Sequence, residues 1–158
     1  MPEPVVSRVT REVESIIHLA LQRTPYFDKD AYRRLPNSLG GRNPKLEADK
    51  ITDIWCLPTA NGIDGHGAQF PLALPARCIS LSTRERDVVL DPFVGSGTTS
   101  LAAARLNRRS IGFDVSENYI EVSRRRLAEV SQNLSPFCGG LESKVFPFLQ
   151  NHHQYQQY

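Results

Sequence analysis

The stretch Asp87-Val-Val-Leu-Asp-Pro-Phe-Val-Gly-Ser-Gly-Thr-Thr99 changes character twice along its length. Val88, Val89 and Leu90 form a short apolar run with β-branched residues, which predicts a buried strand of a parallel sheet. Asp91-Pro92 closes the strand, because proline cannot continue the hydrogen-bonded ladder. Gly95-Ser96-Gly97 predicts a turn, and Thr98-Thr99 predicts a helix cap. The alanine-rich segment from Ser100 to Leu106 predicts the helix itself, ending near Asn107. Strand, glycine turn and helix in this order form the first unit of a nucleotide-type site. Glycine lets a ligand approach the backbone, and a helix N-terminus offers N–H donors to a carboxylate or phosphate.

Ser110-Ile-Gly-Phe-Asp114 predicts a second strand ending in an acid. Its expected neighbour is the first strand, parallel to it, reached by a right-handed crossover through the intervening helix. Asp114 lies about twenty residues past the glycines, where dinucleotide folds place a ribose-binding carboxylate. A phosphate-binding P-loop is excluded, since no Gly-Lys-Ser/Thr follows the turn. A nicotinamide dinucleotide is disfavoured, because Ser100 stands where Gly-x-Gly-x-x-Gly needs its third glycine. S-adenosylmethionine (SAM) has no pyrophosphate and does not need that glycine. An ordinary strand-turn-helix that binds nothing is the remaining alternative. The spacing assigns Gly95, Ser96, Gly97 and Thr98 to the methionine end of SAM and Asp114 to its ribose.

Asp91-Pro-Phe-Val-Gly-Ser-Gly-Thr-Thr99, Ile111-Gly-Phe-Asp114 and Tyr119-Ile-Glu-Val-Ser-Arg-Arg-Arg-Leu127 closely resemble the SAM-dependent DNA methyltransferases that modify exocyclic amines. Those enzymes make N4-methylcytosine or N6-methyladenine. The resemblance is to their circularly permuted group, with the catalytic half first and the SAM half last. It covers most of the chain and is sharpest between His66 and Leu127. It implies an α/β, Rossmann-like sheet, SAM as cofactor and double-stranded DNA as partner. It adds Phe70, Asp91 and Phe93 to the cofactor-binding residues, and it implies a restriction-modification or phage-like setting.

Length and charge set the bounds. The chain of 158 residues is long enough for one domain with a real core. A net charge of +2 does not by itself announce nucleic acid. Arg105, Arg108, Arg109, Arg124, Arg125 and Arg126 crowd late, and solvated helix faces are their expected place. Cys56, Cys78 and Cys138 are too scattered for a metal motif, and their odd number suits a reducing cytoplasm. No apolar signal region or membrane-length segment is present.

Residues 1–50 read as a residual part of the catalytic half with a target-recognition loop. Val9, Val13, Ile16, Ile17 and Ala20 fit a helical stripe, whereas Ser15-Ile-Ile-His-Leu-Ala-Leu21 fits a buried strand. The resemblance selects the strand, since Thr10-Arg-x-x-Glu14, Thr24-Pro-Tyr-Phe-Asp28 and Asp30-Ala-Tyr-Arg33 match the family's order. Leu35 to Lys50 is rich in turn formers and positive charge, as a DNA-facing loop or a plain linker would be.

Residues 51–131 read as the SAM-binding part. Trp55 is expected in a core or an interface. His66-Gly-Ala-Gln-Phe-Pro71 resembles the family segment that flanks SAM, although Gly67 stands where a proline is common. That match gives His66 a role in shaping the pocket rather than in catalysis. Leu72 to Ile79 predicts an amphipathic helix packed near the glycine turn. Ser116 starts another helix, with Tyr119, Ile120, Val122, Ser123, Leu127 and Val130 at helical spacing. Residues 132–158 read as a flexible tail, and His152-His153 as part of it.

Relatives hold the flipped base with a Ser/Asp/Asn-Pro-Pro-aromatic loop. No such tetrapeptide occurs in these residues. In the permuted order that loop would precede Met1. The expectation is therefore a C-terminal part that binds SAM, pairs with an N-terminal catalytic fragment and is inactive by itself. No residue of this chain is assigned a catalytic role, and N4 of cytosine is favoured over N6 of adenine on Thr10-Arg-x-x-Glu14 and Asp53-Ile-Trp55.

Overall fold

A computed structural model describes residues 13–41, 51–58, 60, 69–133 and 143–147. A short helix α1 (Lys29–Arg33) and a 3-10 turn (Asn37–Leu39) come first. Then follow α2 (Ala73–Ser82), β1 (Val88–Asp91), α3 (Thr98–Arg105), β2 (Arg109–Asp114), α4 (Glu117–Asn133) and β3 (Ser143–Pro147). The three strands form one parallel sheet in the order β1-β2-β3. β1 lies beside β2 as expected, with Leu90 opposite Ile111, and α3 joins them. The fold is α/β.

Strand alternation gives the sheet two unlike faces. Val89, Ser110 and Val145 share the covered face. Val89 packs against a cluster that includes Ala102 and Ala103 of α3, and Val145 joins Val94, Ile120 and Leu127. Val88, Leu90 and Phe146 lie on the other face and are exposed, Leu90 at 62 %. The apolar run expected to be buried is thus covered on one side only. β1 has a single strand neighbour among the described residues, and the helices pack on one side of it.

The cluster under Val89 continues away from the sheet into α2 and the segment before it. Tyr32, Leu35 and Leu39 pack against Ala76, Ile79 and Leu81 of α2, with Trp55 at its margin. Arg77 is buried inside this cluster at 1 % exposure. Its Nε donates to the carbonyl of Gly40 at 2.7 Å and its Nη2 to that of Gly41 at 3.3 Å. Its guanidinium also lies 5.4 Å from the Tyr32 ring centroid and 5.6 Å from that of Trp55. Hydrogen bonds and ring faces together replace the water that a buried cation gives up.

Three expectations change here. The stretch from Ser15 to Leu21 carries no strand. Ile17 is 79 % exposed and Leu19 85 % exposed. A strand is held by a neighbour's hydrogen bonds, and no described segment offers a ladder to these residues. The helix after the glycine turn begins at Thr98, not Ser100. Gly97 occupies the cap position, and no side chain caps it, so the threonines lie in the first turn. Finally, Ser143–Pro147, inside the stretch read as a tail, forms β3 on the edge of β2. Val145 is buried, and Phe146 stacks on Phe113 with centroids 5.8 Å apart.

Arg105, Arg109, Arg124 and Arg125 are exposed, as expected of solvated helix faces, whereas Arg108 is buried and Arg126 half-buried. Arg108 is buried and donates to the Thr83 carbonyl at 2.7 Å and the Thr83 hydroxyl at 3.1 Å. Arg124 donates to the Val145 carbonyl at 3.0 Å, which ties α4 to β3. Among the described residues no helix is long and apolar enough to cross a membrane.

Candidate functional site

The site is built where β1 ends and α3 begins. Asp91 closes β1, and its Oδ1 accepts the Phe93 N–H at 3.0 Å, which starts the turn. Val94 then points inward, buried in the α4 cluster, while its N–H donates to the Phe113 carbonyl at 2.9 Å. The chain next passes through two left-handed glycines, Gly95 at φ 50° and Gly97 at φ 84°. Such backbone angles favour glycine because a Cβ would crowd the following carbonyl.

The two glycines serve different purposes. A Cβ at Gly97 would collide with Ser123 of α4, so this glycine permits close packing of turn and helix. At Gly95 a Cβ would meet nothing nearer than the Phe93 carbonyl oxygen at 4.0 Å. That side of the turn is open, and backbone is accessible there to a ligand.

Asp114 closes β2 directly beside the turn. Its Oδ2 accepts the Gly95 N–H at 2.9 Å, and its Oδ1 accepts the Ser116 N–H at 2.8 Å. The carboxylate therefore braces both the glycine turn and the entry to α4. Each carboxylate oxygen has more than one acceptor position, so capacity remains for a ligand hydroxyl.

Ser96 is nearly buried and central. Its hydroxyl is in hydrogen-bond contact with Gln69 Nε2 at 2.5 Å and with Arg126 Nη1 at 3.0 Å. The same Arg126 nitrogen donates to the Ser96 carbonyl at 2.6 Å and reaches Thr98 Oγ1 at 3.4 Å. In the sequence Arg126 reads only as one of several solvated arginines and Gln69 only as part of the segment flanking SAM. The available signal was helical spacing, since Ser123, Arg126 and Leu127 share the face of α4 that meets the turn.

Asp91, Phe93, Gly95, Ser96, Gly97, Thr98 and Asp114 thus come together around one turn. Phe93 is 85 % exposed. Phe70 is also exposed, and its neighbour Gln69 contacts the turn through Ser96. His66 lies outside the described residues, as do the loop from Asn61 to Gly67 and Cys138. The first-turn N–H groups of α3 have no side-chain cap, which suits them to a carboxylate or another anion. The donor set fits an amino-acid carboxylate joined to a ribose: N–H and hydroxyl donors at one end, a carboxylate acceptor at the other.

Comparison with known proteins places the chain in a family. A family model described as DNA methylase, of the N6/N4 type, matches residues 1–125. The type II methyltransferase M.Cfr9I of Citrobacter freundii is 33% identical over 134 residues, which is 85% of this chain and 42% of that protein. M.ScaI of Streptomyces caespitosus is 35% identical over 125 residues, 69% of this chain and 40% of that protein. The chain therefore spans less than half the length of these relatives. Among solved structures, the cytosine-N4-specific PvuII DNA methyltransferase covers 65% of this chain and 43% of its own, at 26% identity and a TM-score of 0.47. The match over residues 1–125 includes the whole glycine turn and both strands that hold it, and the chain belongs to the N6/N4 DNA methylase family.

Proposed function

We propose that this chain is the SAM-binding part of a methyltransferase that modifies an exocyclic amine in double-stranded DNA. The observation that carries this reading is the turn itself: open backbone at Gly95, an uncapped helix start at Thr98 and Asp114 beside both. In this reading the α3 N–H groups and the Ser96 and Thr98 hydroxyls receive the methionine carboxylate. Asp91 faces the methionine ammonium, Asp114 accepts from the ribose hydroxyls, and Phe70 and Phe93 add apolar contact. SAM when bound supplies the methyl group.

The binding test uses calorimetry on two variants. Gly95→Asn tolerates the left-handed backbone yet fills the open side, and Asp114→Ala removes the acceptor. Both are expected to lower SAM affinity at least roughly tenfold, the scale of losing a charge-assisted hydrogen bond. Unchanged affinity in both, with native-like melting, sinks the cofactor assignment.

The favoured target is cytosine N4, supported by the resemblance of Thr10-Arg-x-x-Glu14 and Asp53-Ile-Trp55 to that branch. Base analysis of methylated DNA checks it, and N6-methyladenine as the product overturns it. A second reading is a non-catalytic SAM- or DNA-binding remnant working with another polypeptide. It is favoured by the lack of a Pro-Pro tetrapeptide in these residues. Binding a cofactor does not speed chemistry unless the attacking amine is also positioned. In this proposal an N-terminal catalytic fragment supplies that positioning. Radiolabelled SAM and mixed DNA, with and without an upstream-encoded fragment, separate the readings. Methyl transfer only with the fragment supports the divided enzyme. Robust transfer by this chain alone shows that its own residues position the base.

A further inference from the structure

Arg126 lies on α4, thirty residues past the turn it touches. One of its terminal nitrogens engages the Ser96 carbonyl, the Ser96 hydroxyl and the Thr98 hydroxyl, at 2.6, 3.0 and 3.4 Å. These three oxygens bracket Gly97, the left-handed residue that caps α3. A guanidinium in this position does two things. It neutralises the carbonyl and hydroxyl dipoles that would otherwise face an incoming anion. It also places a guanidinium beside the residues that open α3, whose N-terminus carries no side-chain cap.

Gln69 completes the arrangement from the other side. Its amide meets the Ser96 hydroxyl at 2.5 Å, so Ser96 is held between the segment before α2 and the middle of α4. A hydroxyl that accepts from a cation becomes a better donor through its own hydrogen. The hydroxyls of Ser96 and Thr98 are thereby prepared to donate toward an anionic group at the turn.

We infer that Arg126 is a positioning residue which makes this turn a receptor for the carboxylate end of the cofactor, acting through Ser96 and Thr98 rather than by touching the ligand. The inference rests on the SAM reading above and deepens it. It predicts selectivity that a merely structural bolt would not produce. A ligand with the amino-acid carboxylate should feel Arg126, and a ligand with only the nucleoside thioether should not.

The test compares S-adenosylhomocysteine with 5′-methylthioadenosine, which lacks the amino-acid carboxylate and ammonium. Both are titrated calorimetrically into the full chain, wild type and Arg126→Met. The expected result is a loss of roughly tenfold or more for S-adenosylhomocysteine, the scale of a charge-assisted contact, with methylthioadenosine nearly unchanged. Arg126→Lys keeps the charge without the planar fork and should restore part of the lost affinity. Gln69→Leu and Ser96→Ala provide the same comparison if Arg126→Met melts too early to titrate, and each should weaken S-adenosylhomocysteine selectively. Equal losses for the two ligands, or no loss for either, overturn the inference and leave the SAM reading standing. A wild-type chain that binds neither ligand overturns the SAM reading and this inference with it.

Discussion

The glycine turn and the stretch from Ser15 to Leu21 both read from the sequence as parts of one sheet, yet only the turn is held. At the turn nearly every polar group that shapes the backbone has a partner: Asp91 takes Phe93, Asp114 takes Gly95, and Arg126 takes Ser96. Between Val13 and Leu21 the backbone forms no regular element, and Val13, Ile16, Ile17, Leu19 and Leu21 are exposed. Their hydrophobicity is equal to that of any strand. What differs is closure. The turn finds its partners in the strand-helix-strand unit, in α4 and in Gln69, whereas an apolar run becomes a strand only beside another strand.

The largest break in this contrast is Gly97→Val. The substitution places a β-branched side chain at φ 84° and drives it into Ser123. Backbone strain and overpacking together should cost about 3 kcal/mol. The urea midpoint should fall accordingly, and a midpoint within error of wild type would show that α4 does not pack on the turn as described.

Arg77→Met should cost somewhat less, about 2 kcal/mol, because two buried carbonyls and two ring faces lose a cation while methionine fills part of the space. Denaturant unfolding measures it. A neutral or stabilising result would show that the buried cation is replaceable by apolar packing.

A smaller effect sits at the boundary between the two regions. Asp28 begins the tied part of the chain: its N–H donates to the Leu81 carbonyl at 2.8 Å. Its Oδ1 accepts the N–H groups of Ala31 and Asp30 at the start of α1. The Ala31 bond is the main cause holding its carboxyl below the ordinary value of 3.8. Because the folded value is the lower one, the carboxylate stabilises the fold at pH above 3.8, and that contribution fades as the pH falls through the folded value. Asp28→Asn should therefore lower the melting temperature modestly at pH 7 and progressively less below pH about 4. A constant difference across that range would remove Asp28 as its source.

The smallest effect should come from Leu21→Ser. A residue with no described packing contributes little, so stability should move by less than about 0.5 kcal/mol. A larger loss would mean that this stretch packs against something in solution. The cysteines extend the same comparison. Cys56 is exposed, while burial pushes the Cys78 thiol up from its ordinary value. Alkylation at neutral pH, mapped by mass spectrometry, should label Cys56 well before Cys78.

The sequence alone determined the elements whose signals are local. Val88-Val-Leu-Asp91, the two glycines, the helix behind them, Ser110 to Asp114 and the α4 stripe were all legible. Each is specified by neighbours a few residues apart, and the turn geometry is written in residue types that few other conformations need. Tertiary structure decided what depends on distant partners. β3 is a five-residue strand beside Gly139-Gly140 in sequence, and only the edge of β2 makes it one. Arg77 and Arg126 sit in helices whose arginines look alike in sequence, and packing alone separates a buried or bonded guanidinium from a solvated one. The same holds for Gly95 and Gly97. Both glycines answer a left-handed backbone, but α4 lies against one and open space against the other, and no residue near them in sequence carries that information.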